Sequence, residues 1–316
     1  MFANPMKQQP YLLLGVFFCA LATNGYLFRL SAEEPASLSG KKLQNPVAQP
    51  AREFPLTMRE FLTQNHIVAF YGHPNSKKMG ILGEFDTLPA MVEELTRYSR
   101  EYDEANGDRG VIPAFHIIFA TVLSEGELAY INRIRLKEWI TYAEEQGILV
   151  FLDHQIGKYP VTEAMKTLLP YLKYPHVHLA LDPEWATDKP GKEIGSVRAE
   201  DLNTVQQMIQ KYMEQEKIAG EKILVVHQFN WKMISRLKEV RSDFPQVVVI
   251  HNADGFGTPE EKQKTWAYLR EARNLPLKGI KLFLPKSWRK GGFDVPLYAP
   301  KEVLSFDPEP KLIMYQ

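Results

Sequence analysis

Eight short runs of apolar, largely β-branched residues recur along this chain. Each ends in polar, histidine or acidic residues, and most are followed by a helical pattern. They lie at 67–71, 112–118, 148–152, 177–181, 223–226, 247–250, 280–284 and 312–315. A strand that is apolar at every position, rather than at alternate ones, is buried on both faces. A parallel sheet covered by helices buries it in that way. Eight such strands alternating with helices predict an α/β fold, a closed (β/α)8 barrel of the TIM-like kind. The competing arrangement is an open, doubly wound sheet. Neither glycine-rich phosphate loop that would support it, G-x-G-x-x-G or G-x-x-x-x-G-K-[ST], occurs here.

Helical patterns at 91–102, 136–146, 162–172, 199–216, 232–244 and 259–273 fill the gaps between strands. Gly147 is placed to cap the second of these, and Pro259 to open the last. The eighth strand ends at Tyr315 with no helix after it, and a short helix at 56–63 is expected to plug the bottom of the barrel. A barrel of this kind needs roughly 250 residues. The chain has 316, and the excess is N-terminal.

That N-terminal excess has its own pattern. Lys7 precedes a charge-free stretch, 8–28, whose apolar heart is 11–22, the layout of a secretory signal. Ala20-Leu21-Ala22 offers a cleavage site, and Phe18 before the single cysteine, Cys19, argues against lipidation. Tyr26, Leu27 and Phe28 extend the segment to about the minimum length of a membrane span. The expected organisation is a signal peptide or membrane anchor at 1–30, a flexible linker at 31–53 and the barrel at 54–316. The barrel is expected outside the cytoplasm, secreted or tethered, with membrane contact only through the N-terminal segment.

Lys+Arg and Asp+Glu both number 38, so nothing points to a nucleic-acid partner. One cysteine leaves no intrachain disulfide to form.

Barrels of this type keep their chemistry at the C-terminal ends of the strands. There the chain carries Tyr71 and His73, His116, Asp153 and Gln155, Asp182, Glu184 and Trp185, His227 and Gln228, Asn252 and Asp254, and Lys281. Residues two apart on a strand share a face, so most strands send polar groups to one mouth. The sharpest element is Asp182-Pro183-Glu184-Trp185. Two carboxylates in an i, i+2 relation start on Cα atoms roughly 6.5 Å apart. Their repulsion raises one pKa and leaves the other ionised, as acid–base glycoside chemistry requires. Glu184 is the candidate general acid, Asp182 its partner, and Trp185 a platform for a sugar face.

His73, His116, His154, His227 and His251 lie at or near strand ends, and with Asp153, Asp182 or Asp254 they could ligate a divalent metal. No compact signature such as H-E-x-x-H occurs, so no metal ligand and no cofactor are assigned, and each histidine is read as hydrogen-bonded. His176 and His178 sit at the start of strand four, the wrong end for chemistry. Lys281 is read as an ion-pair partner of Asp254 or Glu184. The loops 73–85 and 285–298 are candidate lids, with Trp288, Arg289 and Phe293 as rim residues.

From Ala69 to the C-terminus the chain resembles a group of uncharacterised bacterial exported proteins with a barrel domain, some joined to cell-wall-binding repeats. The segments that carry the resemblance are AFYGHP, IPAFHII, VFLDHQIG, HVHLALDPEW, ILVVHQF, DGFG, GIKLF and the terminal IMYQ. A looser similarity is to barrel glycosidases with D-x-E after strand four, such as chitinase-like enzymes and cell-wall muramidases. The chitinase pattern D-x-x-D-x-D-x-E would place acids where this chain has Val177 and Ala180. The muramidase pattern would place an Asp where it has Tyr71-Gly72-His73. Only Asp182 and Glu184 carry over. The resemblance implies the barrel fold and export and brings no established reaction; with the strand-four carboxylate pair, the leading expectation is an exported hydrolase-like enzyme, or a binder, of a cell-envelope glycan. The alternatives are a metal-dependent hydrolase of phosphodiester or amide bonds and a non-catalytic barrel that binds carbohydrate or another small molecule.

Overall fold

A computed structural model of the protein describes residues 54–285 and 291–316. The expected N-terminal signal, the linker, Cys19, Trp288 and Arg289 lie outside the described residues. Eight parallel strands close into a barrel: β1 (Asn65–Gly72), β2 (Gly110–Val122), β3 (Leu149–Gln155), β4 (Val177–Asp182), β5 (Lys222–Gln228), β6 (Val247–Ala253), β7 (Lys278–Leu282) and β8 (Leu312–Tyr315). Each pairs with its successor, and β1 pairs with both β2 and β8, so the sheet has no open edge. The (β/α)8 barrel is the fold.

Around the barrel lie α2 (Leu88–Asp103), α3 (Arg133–Gln146), α4 (Val161–Lys166), α5 (Ala199–Gln215), α6 (Pro259–Arg270) and α7 (Pro300–Leu304), all preceded by α1 (Met58–Gln64). Strand alternation divides the core. Val68, Phe70, Phe115, Val150, Leu179, Leu224 and Ile313 face the helices. Ile67, Ala69, Ile112, Phe151, Ala180, Val225, Ile250 and Met314 fill the barrel. Met58 and Leu62 of α1 join that inner cluster, so α1 plugs the bottom as expected. Arg59 fastens the plug, donating to the Phe244 and Val247 carbonyls at 2.6 Å and pairing with Glu221. Gly147 ends α3 at φ 66°, in the left-handed region that glycine adopts without penalty.

Three expectations are corrected. The predicted helix at 232–244 does not form. Short 3-10 turns at Trp231–Met233 and Leu237–Glu239 flank Ile234–Ser235, which pairs in parallel with Val197–Arg198. The Asn203 side chain also takes the Glu239 carbonyl and the Arg241 N–H, two backbone groups a helix would have used. The helix at 162–172 breaks after Lys166 and resumes as a 3-10 turn, Leu169–Lys173, with Pro170 in its first turn. The loop 73–85 is no free lid, because Ile81 and Leu82 are buried and the Ile81 N–H bonds the Tyr71 carbonyl at 2.8 Å.

Candidate active site at the barrel mouth

The layer above the inner apolar cluster is ionisable. Continuing each inward-facing row by two residues reaches Tyr71 on β1, His116 on β2, Asp153 on β3, Asp182 on β4, His227 on β5, Asn252 on β6 and Lys281 on β7. All seven are buried, with Asp254 one step beyond Asn252.

Asp254 is the hub. Its carboxylate accepts from His227 Nδ1 at 2.9 Å, Lys281 Nζ at 2.8 Å and Asn252 Nδ2 at 2.5 Å. Burial alone would raise its pKa, but the His227 and Lys281 charges outweigh burial and hold it well below the usual carboxylate range. Burial likewise opposes protonation of His227, and Asp254 reverses that, raising its pKa. Asn252 reaches this position because β7 offers a glycine beside it. A Cβ on Gly279 would stand 2.2 Å from Asn252 Oδ1.

A second group faces the hub. His227 Nε2 lies 3.3 Å from His116 Nε2, and the two atoms lie 3.8 and 3.9 Å from Asp153 Oδ2. Tyr71 donates to the same oxygen at 3.0 Å, and Lys281 Nζ sits 3.8 Å from the centre of the Tyr71 ring. Burial, with the His227 and Lys281 charges, pushes His116 well below the ordinary imidazole value. Burial raises the Asp153 carboxyl, and that of the Tyr71 phenol further still.

Glu184 stands at the rim in the 3-10 turn Pro183–Trp185. Asp182 fixes the turn, since its Oδ1 accepts the Glu184 backbone N–H at 3.2 Å. Burial is the chief reason the Glu184 carboxyl is pushed up to about 8, and Asp182 adds to it. Burial also lifts Asp182 to about 7, with the Asp153 and Asp254 charges contributing. The Glu184 carboxyl has no hydrogen-bond partner among the described residues.

Not every predicted site residue joins this group. His73 accepts the Asn75 N–H at 3.1 Å in the loop after β1, outside the mouth. Gln155 is taken up by the Val122 N–H at 2.7 Å, which ties down the end of β2. Gln228 turns away from the barrel axis and bonds His251 at 2.7 Å and the Asn230 carbonyl at 3.0 Å. His154 faces outward between Phe119 and Tyr130. Trp185 is half-buried beside Glu184, and Phe293 is half-buried in the loop after β7. Exposed Trp231 and Phe256, on the loops after β5 and β6, were not predicted. Their signal was an aromatic within three residues of a strand end. A groove of about 830 Å3 beside α2 is lined in part by Phe85, Glu94 and Arg97, and Arg97 pairs with Glu94 and Glu101.

No protein-family model matches the chain, and no curated protein matches it. Solved structures do. The likenesses are to glycoside hydrolases. A chitinase from Chromobacterium violaceum ATCC 12472 is 12% identical, over 68% of this chain and 68% of that one, with a TM-score of 0.36. PbGH5A, a glycoside hydrolase family 5 enzyme from Prevotella bryantii B14 seen with a xyloglucan tetradecasaccharide, is 13% identical over 82% and 90%, at 0.45. A family 18 chitinase from Crocus vernus is 8% identical over 79% and 92%, at 0.42. Identities this low leave the chemistry to be argued from the site's own geometry.

Proposed function

We propose that the barrel hydrolyses glycosidic bonds with Glu184 as the proton donor. The supporting observation is the Asp182–Glu184 turn. Its outer carboxyl is pushed up to about 8 and therefore carries a proton at neutral pH, and it is free of hydrogen bonds among the described residues. A protonated carboxyl held at a barrel mouth is the group that gives its proton to a leaving glycosidic oxygen. Asp182 holds the donor's backbone and, in its ionised form, adds negative charge beneath the sugar ring as it becomes oxocarbenium-like. Trp185, Trp231 and Phe256 provide apolar faces on which pyranose rings can stack. The secretory pattern at residues 1–30 supports a substrate outside the cytoplasm, a glycan of the cell envelope.

The test is a screen of chitin oligosaccharides, peptidoglycan and β-glucans with the wild-type chain and Glu184→Gln. Hydrolysis of one of these, reduced by roughly 100- to 10,000-fold in the variant with its fold retained, is expected. Wild-type turnover that survives the substitution would reject the assignment. Glycan binding without products, equal in both proteins, would make the barrel a binding module.

A further inference from the structure

We propose that His116, His227 and Asp153 form a binding site for one divalent cation of the zinc class at the base of the mouth. The inference does not depend on the glycosidase reading. Their ligating atoms, one from each residue, lie within 4.8 Å of one another.

The first argument is geometric. With metal–nitrogen distances of about 2.1 Å and near-tetrahedral angles, two imidazole nitrogens stand about 3.4 Å apart. His116 Nε2 and His227 Nε2 are 3.3 Å apart. Asp153 Oδ2, at 3.8 and 3.9 Å, is about half an ångström further out than the same geometry asks, within reach of a small side-chain rotation. Zinc-class ions take imidazole nitrogen and carboxylate oxygen in this combination, whereas magnesium and calcium favour oxygen throughout.

The second argument comes from unsatisfied groups. All three side chains have 0% exposure. One shared proton could join the two Nε2 atoms, but it would leave Asp153 beyond hydrogen-bond reach of both rings. Asp153 Oδ1 has no hydrogen-bond partner among the described residues. Buried polar atoms are rarely abandoned in this way. A cation takes both nitrogen lone pairs and a carboxylate oxygen together.

The third argument is the surrounding support. His227 gives its other ring nitrogen, Nδ1, to Asp254 at 2.9 Å, the carboxylate–imidazole relay that turns Nε2 toward a metal and strengthens it as a ligand. His116 is held flat against Phe151, with ring centres 5.3 Å apart and planes 15° apart, which fixes its direction without using a nitrogen. Three carboxyl groups, Asp153, Asp182 and Asp254, converge on this layer, with Lys281 and His227 as the positively charged groups that face them.

The experiment uses the untagged full-length chain, stripped with chelator and titrated calorimetrically with Zn2+, Mn2+ and Mg2+. Absorption of the Co2+ form supplies the coordination signature. The expected result is one equivalent of Zn2+ or Mn2+ and far weaker Mg2+ binding. Binding should fall at least 100-fold in His116→Ala, His227→Ala and Asp153→Asn, and 10- to 100-fold in Asp254→Asn. His73→Ala and Glu184→Gln should keep full metal binding, and melting curves identify any variant that fails to fold. Should the alanine variants unfold, His227→Gln with loss of the Co2+ bands serves in their place. No stoichiometric binding, or binding that the histidine variants leave intact, would overturn the proposal without touching Glu184.

Discussion

The two ends of this barrel are built from the same eight strands, yet one lysine and one histidine buried at the floor are satisfied in the opposite way to their counterparts at the mouth. At the floor, Lys222 donates to the carbonyls of Tyr174, Pro175 and Val177 at 2.7, 3.0 and 3.1 Å, and no carboxylate is involved. His178 accepts the Ile223 N–H at 3.1 Å, and burial keeps it neutral. At the mouth, Lys281 and His227 share one carboxylate, Asp254, whose further bond is to Asn252. Burial is equal at the two ends. What separates them is the partner: backbone dipoles at the floor satisfy a side chain and finish with it, whereas linked ionisable groups at the mouth each set the protonation of the next. A buried histidine or lysine in a barrel is therefore no evidence of chemistry until its partner is known.

The contrast can be broken from either end, and the chemical end should give the largest effect. Glu184→Gln should lower kcat/KM by roughly 1,000-fold, about 4 kcal/mol of transition-state stabilisation, without moving the denaturation midpoint measured below pH 4.5. Removing the hub comes next. Asp254→Ala leaves Lys281 buried without its counter-charge, which should cost about 3–5 kcal/mol in urea unfolding and abolish turnover as well. Leu62→Ala, in the floor plug, should cost about 2–5 kcal/mol of stability and leave KM and kcat unchanged in the folded fraction. A floor variant that altered the pH profile of the reaction would mean that the two ends are not independent.

The pH dependences should run in opposite directions. Glu184 has a folded pKa raised from 4.5 to about 8, so its contribution to stability is fully present below 4.5 and is lost as pH rises through about 8. Activity should fall across the same upper limit as the donor loses its proton. Asp254 is depressed, so its contribution is present above the ordinary carboxylate range and is lost only as pH falls through its low folded value. Denaturation midpoints of wild type and Glu184→Gln, compared from acid to mildly alkaline pH, should diverge in the window between 4.5 and about 8. The smallest effect belongs to His178→Gln, about 1 kcal/mol with kinetics unaffected.

Every barrel strand was legible in the sequence, because an all-apolar run between polar stretches has few other places to go. So was the set of strands that send ionisable groups to the mouth, since the two-residue period decides it. The pairing within that set was not legible. His227 and Asp254 lie 27 residues apart, and no local spacing marks their bond. Gln155 and Gln228 satisfied the same period-two rule and were taken by backbone and side-chain partners, because a rotamer, not a position, decides which way a strand-end amide turns. The failed helix at 232–244 had a sound apolar period. It was overridden by pairing with Val197–Arg198, a contact invisible from within the segment.

Phe54 stacks on His176 just before β4, at a ring distance of 4.9 Å, and the chain then runs directly into the plug. The N-terminal connection is thus made at the closed pole of the barrel, diametrically opposite Glu184. A tag or anchor joined at residue 54 would therefore start from the pole opposite the Asp182–Glu184 turn.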